Sequence, residues 1–469
     1  MVARARRRIG LRVRRVISDW RIWRLRFLVL AISAVAGLLV VAFTVLSEKA
    51  LDLFFHVRSI SPWLPFVWTP CITALVVWLT RRFAPEAAGS GIPQVIATLD
   101  PRVPQVQIGR LVSLRMSGAK VLLTALGLSG GLSLGREGPS VQIAAGVLHS
   151  LRRWIPSRSE ITPYGLMVAG GSAGIAAAFN TPLAGVMFAI EELTRRPEQR
   201  SSGLLLAGIV VAGMMAVAIM GNSTYFGVIY APPYEVAMLL PALAVAVACG
   251  LAGGLFSRLL VVSLDPASPH PLNRWRAGRP VWFAFMCGLS VAIIGWVSDG
   301  TAQGSGYAYT RAMLDGARLS MPTDGLMKFT ATWLTAWSGA PGGILAPSLS
   351  IGATLGRDVA AALGHVQAPI FIALGMAGFL AAVTRAPLTS FIIVMEMVDG
   401  HAMVLSLMAC AFVSSALARP ITPPLYRTLA EFQIRRICHG SIPPEMAGAS
   451  KKNGARGHRA PKNKSVETA

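Results

Sequence analysis

Hydrophobic residues in this chain gather in long unbroken runs, not in the alternating or one-sided patterns of elements that face water. Runs near bilayer-crossing length cover Phe27 to Leu46, Leu204 to Met220, Ala237 to Leu255 and Val281 to Val297, with a shorter one from Val404 to Leu417. A helix needs about 20 apolar residues to cross the hydrocarbon core, so these runs predict membrane-spanning helices. Short strands of alternating polarity, the mark of a transmembrane β-barrel, do not occur. Glycine and proline break the pattern at Gly89 to Pro93, Gly130 to Pro139 and Gly339 to Pro347. Irregular backbone at membrane depth persists only where protein buries it or a polar path runs past it. The breaks therefore predict helix ends converging inside the bundle, although broken helices can also be purely structural.

Composition agrees. The 469 residues are 54% hydrophobic and 14% charged, whereas a soluble domain carries about 25% charged residues. The net charge of +23 is concentrated at the ends: ten arginines lie between Arg4 and Arg26, and the tail after Lys451 is basic. Such charge can signal nucleic acid, but no reading motif accompanies it. Beside membrane spans, the positive-inside rule and anionic lipid account for it, which predicts cytoplasmic termini. Ile9, Val13, Val16, Ile17, Trp20 and Trp23 recur at near-helical spacing, predicting an amphipathic surface helix; a merely basic flank reads equally well. The apolar run from Phe27 is long for a signal-peptide core and lacks a clear cleavage site, so it is expected to remain in the protein. The five cysteines form no C-x-x-C pair and the histidines show no ligand spacing. No metal, no cofactor and no enzyme activity is expected.

The second half echoes the first. Pro139-Ser140 is matched by Pro347-Ser348, Ala173-Gly174 by Ala377-Gly378, Pro182-Leu183 by Pro387-Leu388 and Glu191 by Glu396. The offset runs from 377 − 173 = 204 to 347 − 139 = 208 residues. Repeats of this kind belong to transporters whose site lies at midplane between the halves. The expected divisions are a basic N-terminal segment over 1–26, membrane repeats over 27–230 and 231–440, and a disordered tail over 441–469.

Within Gly135-Arg136-Glu137-Gly138-Pro139, Glu137 is a carboxylate at membrane depth, costing about 2.5 kcal/mol or more. It precedes a proline that can open a helix, where free backbone N–H groups attract anions. A negative side chain in that position can act as a movable plug. Gly89-Ser90-Gly91-Ile92-Pro93 offers a hydroxyl flanked by glycines, Gly342 to Pro347 offers N–H groups at Ile344 and Leu345, and Tyr426 offers a phenol. All are neutral donors, which suit a small anion that must be held and then released. Ser90 could equally cap a helix, and Tyr426 could be an interfacial aromatic.

These three stretches, in order, resemble the signature stretches of the CLC chloride channel and transporter family, as does Ala176 to Gly185; the resemblance covers roughly residues 27 to 438. It implies an all-α polytopic membrane protein of two inverted-topology repeats with tilted and broken helices. It also implies a midplane anion site and a homodimer with one pathway per subunit. Ser90, Ile344, Leu345 and Tyr426 match the family's donors to the central anion. Glu137 matches its external gating and proton glutamate. Glu192 matches the internal proton-transfer glutamate of the exchanging members.

Read alone, Glu191 and Glu192 close an apolar helix and could be solvated charges at the cytoplasmic rim. The resemblance turns Glu192 into a proton carrier, so exchange of chloride for protons is expected, with a passive voltage- or pH-gated chloride channel as the alternative. Leu345 departs from the family's usual phenylalanine, which alters the lining of the pathway. Ser90 is the chloride-type residue, not the nitrate-type proline, and the motifs depart from the fluoride-exporting branch. Lys120 matches a basic position in some exchangers, but could snorkel or pair with Asp100. About thirty residues follow Cys438, too few for the family's nucleotide-binding modules. The expected partners are chloride, protons and lipid in an inner (plasma) membrane, with no nucleic acid.

Overall fold

The computed structural model describes residues 20–156, 161–194, 202–221, 224–229, 238–316, 323–364 and 368–440. Most of the expected amphipathic segment, and the whole tail over 441–469, lie outside these. Among the described residues the chain is all-helical, in keeping with the expected fold class.

The first half holds α1 (Trp20–Ile60), α2 (Pro65–Phe83), α3 (Ile92–Thr98), α4 (Gln105–Leu111) and α5 (Leu114–Ser129). It continues with α6 (Glu137–Ser150), α7 (Pro163–Phe179), α8 (Pro182–Phe188) and α9 (Ser202–Met220). The second half holds α10 (Leu239–Leu264), α11 (Pro271–Gly278), α12 (Pro280–Val297), α13 (Tyr307–Leu314) and α14 (Asp324–Ser338). It ends with α15 (Leu345–Ala362), α16 (Ala368–Thr384), α17 (Pro387–Met397), α18 (Val404–Ala418) and α19 (Leu425–Gly440). Among the described residues, six helical stretches are long and apolar enough to cross a membrane. The run from Phe27 is the middle of a 41-residue helix, because no glycine pair or proline interrupts the sequence until Pro62.

Packing repeats along with sequence. In the first half α6 lies on α7, α7 on α9, and α9 on α1; in the second, α15 lies on α16, α16 on α18, and α18 on α10. Small residues let these backbones touch. A side-chain carbon on Gly375 of α16 would sit 2.1 Å from Gly352 O of α15, so only glycine fits this crossing.

The halves also grip each other. Glu191 lies in the π-helical turn Ala189–Leu193 that extends α8. It accepts hydrogen bonds from the first-turn N–H groups of α17, Leu388 (3.1 Å) and Thr389 (2.6 Å). Glu396 near the end of α17 accepts from the first-turn N–H groups of α8, Leu183 (3.1 Å) and Ala184 (2.7 Å). Each carboxylate thus satisfies helix-start donors that have no intrahelical partner and sits at the positive end of the dipole. Glu191 is therefore a structural clasp between the repeats and not a solvated rim charge.

Two buried lysines form a second matched pair, separated by 328 − 120 = 208 residues. Lys120, fully buried, donates to Ala87 O at 2.7 Å and Gly89 O at 2.5 Å. Lys328 donates to Ala302 O, Gln303 O and Gly304 O at 2.8–3.2 Å. Lys120 does not snorkel. Asp100 instead accepts from Arg102, at 2.9 and 3.0 Å.

Candidate functional site

The three glycine-rich breaks meet. Gly135 and Gly343 exchange backbone hydrogen bonds, each at 2.7 Å, and Gly342 N–H donates to Gly89 O at 3.1 Å. Their close approach needs bare backbone, since a carbon on Gly138 would lie 2.3 Å from Ser90 Oγ. Gly91, at φ +108°, turns the chain into α3 in a conformation L side chains rarely adopt. Gly91, not Ser90, is the residue that caps α3, and Gln94 Oε1 accepts its N–H at 3.0 Å. The Ser90 hydroxyl is left facing the start of α6.

Pro139 and Pro347 lie in the first turns of α6 and α15, as their fixed φ favours. Both helices therefore point their N-terminal N–H groups at the junction. Glu137 itself opens α6 and is fully buried. Its carboxylate is surrounded by the N–H groups of Arg136, Glu137 and Ala346, none with the alignment of a full hydrogen bond. A carbon on Gly135 would overlap Glu137 Oε2 at 2.3 Å.

Tyr426, at the start of α19, is completely buried, and its hydroxyl lies beside that of Ser90. Neither oxygen has a well-formed hydrogen-bond partner. A buried hydroxyl in that condition costs about 1–3 kcal/mol, so such pairs mark places built for something else to bind. Ile344 and Leu345 begin α15 at the same junction, 6% and 3% exposed. Ser90, Glu137, Ile344, Leu345 and Tyr426 are thus brought together from helices scattered over most of the chain.

Glu192 joins them. It lies in the π turn after α8, is 6% exposed, and its Oε1 has no partner. A narrow void connects it to Leu345 and Tyr426 and is bordered by Thr384, Thr389 and Ser390. Tyr426 lies within electrostatic reach of both Glu192 and Glu137. Sequence reading missed these hydroxyl residues. Thr384 Oγ1 and Ser390 Oγ are 3.4 Å apart, and Thr389 Oγ1 has no partner. Their signal was the polar cluster around Pro387 at the start of an apolar helix.

It also missed what surrounds Arg136. That guanidinium, 8% exposed, donates to Glu48 Oε1 at 2.7 Å and to the Tyr225 hydroxyl at 2.9 Å. Glu48 lies mid-helix in α1, where nothing local distinguishes it from a surface charge. No group of residues among those described could hold a metal ion.

A family model described as voltage gated chloride channel matches residues 72–419. An H(+)/Cl(-) exchange transporter ClcA from Citrobacter koseri is 30% identical over 428 residues, covering 85% of this chain and 86% of that protein. One of the same description from Salmonella typhimurium is 29% identical over 458 residues, covering 91% of this chain and 92% of that protein. The solved structure of a slow cyanobacterial Cl−/H+ antiporter superposes with a TM-score of 0.76 at 26% identity, over 88% of this chain and 98% of the other. That of a CLC-type fluoride/proton antiporter gives 0.72 at 22% identity, over 87% and 99%, a likeness of fold. A model that matches most of the chain, spanning all three glycine-rich breaks that build the donor cage, leaves one conclusion: the chain belongs to the voltage gated chloride channel family, CLC.

Proposed function

We propose that the protein exchanges chloride for protons across a membrane. The observation that carries this reading is Tyr426, whose unpartnered hydroxyl lies beside Ser90 and within reach of two buried carboxylates, Glu137 and Glu192. Ser90, Tyr426 and the N–H groups of Ile344 and Leu345 hold the anion through neutral donors, strongly enough to strip water but weakly enough to release it. Glu137 competes with a second anion for the positive ends of α6 and α15. Protonation removes its charge, frees it to leave, and admits the anion. Glu192 passes protons to and from the cytoplasmic side. The descriptions of the exchange transporters and of the chloride/proton antiporter support the same assignment.

The proposed assembly is a homodimer with one pathway per subunit, seated in a plasma membrane with both termini cytoplasmic. The two repeats, 27–230 and 231–440, are of inverted topology. Matched helix packing in the halves and the basic residues of α11 and α19 support this arrangement.

The test is chloride efflux from liposomes containing the purified protein, with simultaneous recording of pH. Exchange requires protons to move against chloride and the reversal potential to shift with a pH gradient. Chloride movement without protons would replace this reading with that of a passive channel.

A further inference from the structure

We propose that Tyr225 and Tyr307 form a closure over the external end of the anion pathway. This rests on the reading of Glu137 as the external gate. The two rings meet edge to face with centroids 4.6 Å apart, and Phe226 packs against both, at 5.0 and 5.3 Å. Tyr307 donates its hydroxyl hydrogen to Tyr225 O at 2.8 Å, and Arg311 donates to the Tyr307 oxygen at 2.9 Å. Both tyrosines are half-buried. A void too narrow to admit a water molecule separates them from Gly306, Thr310, Ala346 and Leu349. Ala346 is the residue whose N–H faces the Glu137 carboxylate.

Five observations separate a closure from ordinary aromatic packing. The rings come from different halves: Tyr225 follows α9, whereas Tyr307 opens α13. The segment carrying Tyr225 is fastened to the end of α17 through Phe226 N–H to Met397 O (2.9 Å) and Ile229 N–H to Val398 O (3.0 Å). That end of α17 adjoins Glu396, half of the clasp between repeats. Arg136, next to Glu137 in sequence, holds the Tyr225 hydroxyl, so gate and closure share one neighbour. Glu48, which shares the same guanidinium, is 49% exposed, and an exposed carboxylate favours the water side over lipid. Finally, Thr310 Oγ1, bordering the void, is 1% exposed and unpartnered. A passing anion that strips its water needs such a donor behind the door.

The experiment places a thiol behind the rings. Thr310→Cys is made in a Cys71→Ser background, reconstituted in liposomes, and exposed on the outside to a membrane-impermeant anionic thiol reagent. In the parent the reaction is slow. Adding Tyr225→Ala or Tyr307→Ala is expected to accelerate it about tenfold, the effect of one aromatic pair on a closed–open equilibrium. Tyr307→Phe keeps the ring but loses the bond to Tyr225 O and gives a smaller acceleration. Leu405→Ala, on the exposed face of α18, leaves the rate unchanged and reports on general loosening. A fast parent reaction, equal rates with and without the tyrosines, or equal acceleration by Leu405→Ala would overturn the proposal. The readout needs no proton flux. If the rates change while chloride moves without protons, the closure stands and the exchange reading fails. Coupled exchange with unchanged rates gives the converse.

Discussion

Glu137→Gln removes one charge from the centre of the protein while preserving the side chain's shape. In the structure the carboxylate faces three backbone N–H groups, those of Arg136, Glu137 and Ala346. A well-aligned bond to a charged acceptor contributes about 1.5–3 kcal/mol and one to a neutral acceptor about 0.5–1.5; none of the three is fully aligned, so the amide holds each group more weakly by at most roughly 1 kcal/mol. Summed over the group, the plug loses at most about 3 kcal/mol against an incoming anion, an upper limit of roughly a hundredfold in binding. The expected result is chloride affinity raised one to two orders of magnitude, measured by calorimetric titration of the detergent-solubilised protein. A second signature follows from competition. In the parent, acidification neutralises the rival carboxylate and tightens chloride binding, whereas the amide of the variant has no proton to gain and the dependence on pH flattens. In liposomes the variant passes chloride without protons. An affinity within a factor of about two of the parent with its pH dependence intact, or persistent proton transport, would refute the plug.

Other outcomes follow from other parts of the molecule. Glu192→Gln is expected to leave chloride movement but uncouple it from protons in the same liposome assay; normal coupling would return Glu192 to a structural role. Lys120→Met leaves Ala87 O without its donor and Gly89 O with the Gly342 N–H alone. At about 1–3 kcal/mol for the unsatisfied carbonyl, the melting temperature should fall and chloride affinity weaken as Ser90 loses its support. Glu396→Ala frees the N–H groups of Leu183 and Ala184, and should cost about 1–2 kcal/mol, as loss of a helix cap does, visible as a lower melting temperature. On α19, outside the spans, hydrogen bonds from Arg102 hold the Glu431 carboxyl below its usual range. A depressed carboxylate contributes stability that is complete above its unfolded pKa and is lost as pH falls through the folded value. Melting temperature should therefore drop on acidification below the carboxylate range, and Glu431→Gln should remove part of that drop. The effect is small because the pair is solvent-screened.

Class and site were legible to different degrees. Long apolar runs define a membrane protein because the bilayer imposes length and polarity residue by residue. Gly135 to Pro139 announced a helix start with an acid in it, because capping and proline chemistry act within one turn. The same locality explains the misreading of Glu191. Its acceptor role depends on Leu388 and Thr389, which lie 388 − 191 = 197 residues or more away in sequence. Lys120 was open to two local interpretations, and the carbonyls it actually binds belong to the loop before α3. The repeat offset that relates it to Lys328 was available in the sequence, but a lone lysine carries no pattern strong enough to align.

What the sequence determined by itself was the solvent, the helical class, the doubling of the chain and the residue types able to hold an anion without a cation. Those properties are composition and short-range backbone chemistry. Tertiary structure decided which of the donors share a place, that Glu137 and Glu192 both lie within electrostatic reach of Tyr426, and that Arg136 is shared between Glu48 and Tyr225. Bare backbone at Gly135 and Gly343 allows that convergence, because a side-chain carbon on Gly343 would lie 2.9 Å from Gly138 N and one on Gly135 would lie 3.1 Å from the Pro347 ring, while Gly89 contributes a φ of +77° that L side chains rarely adopt.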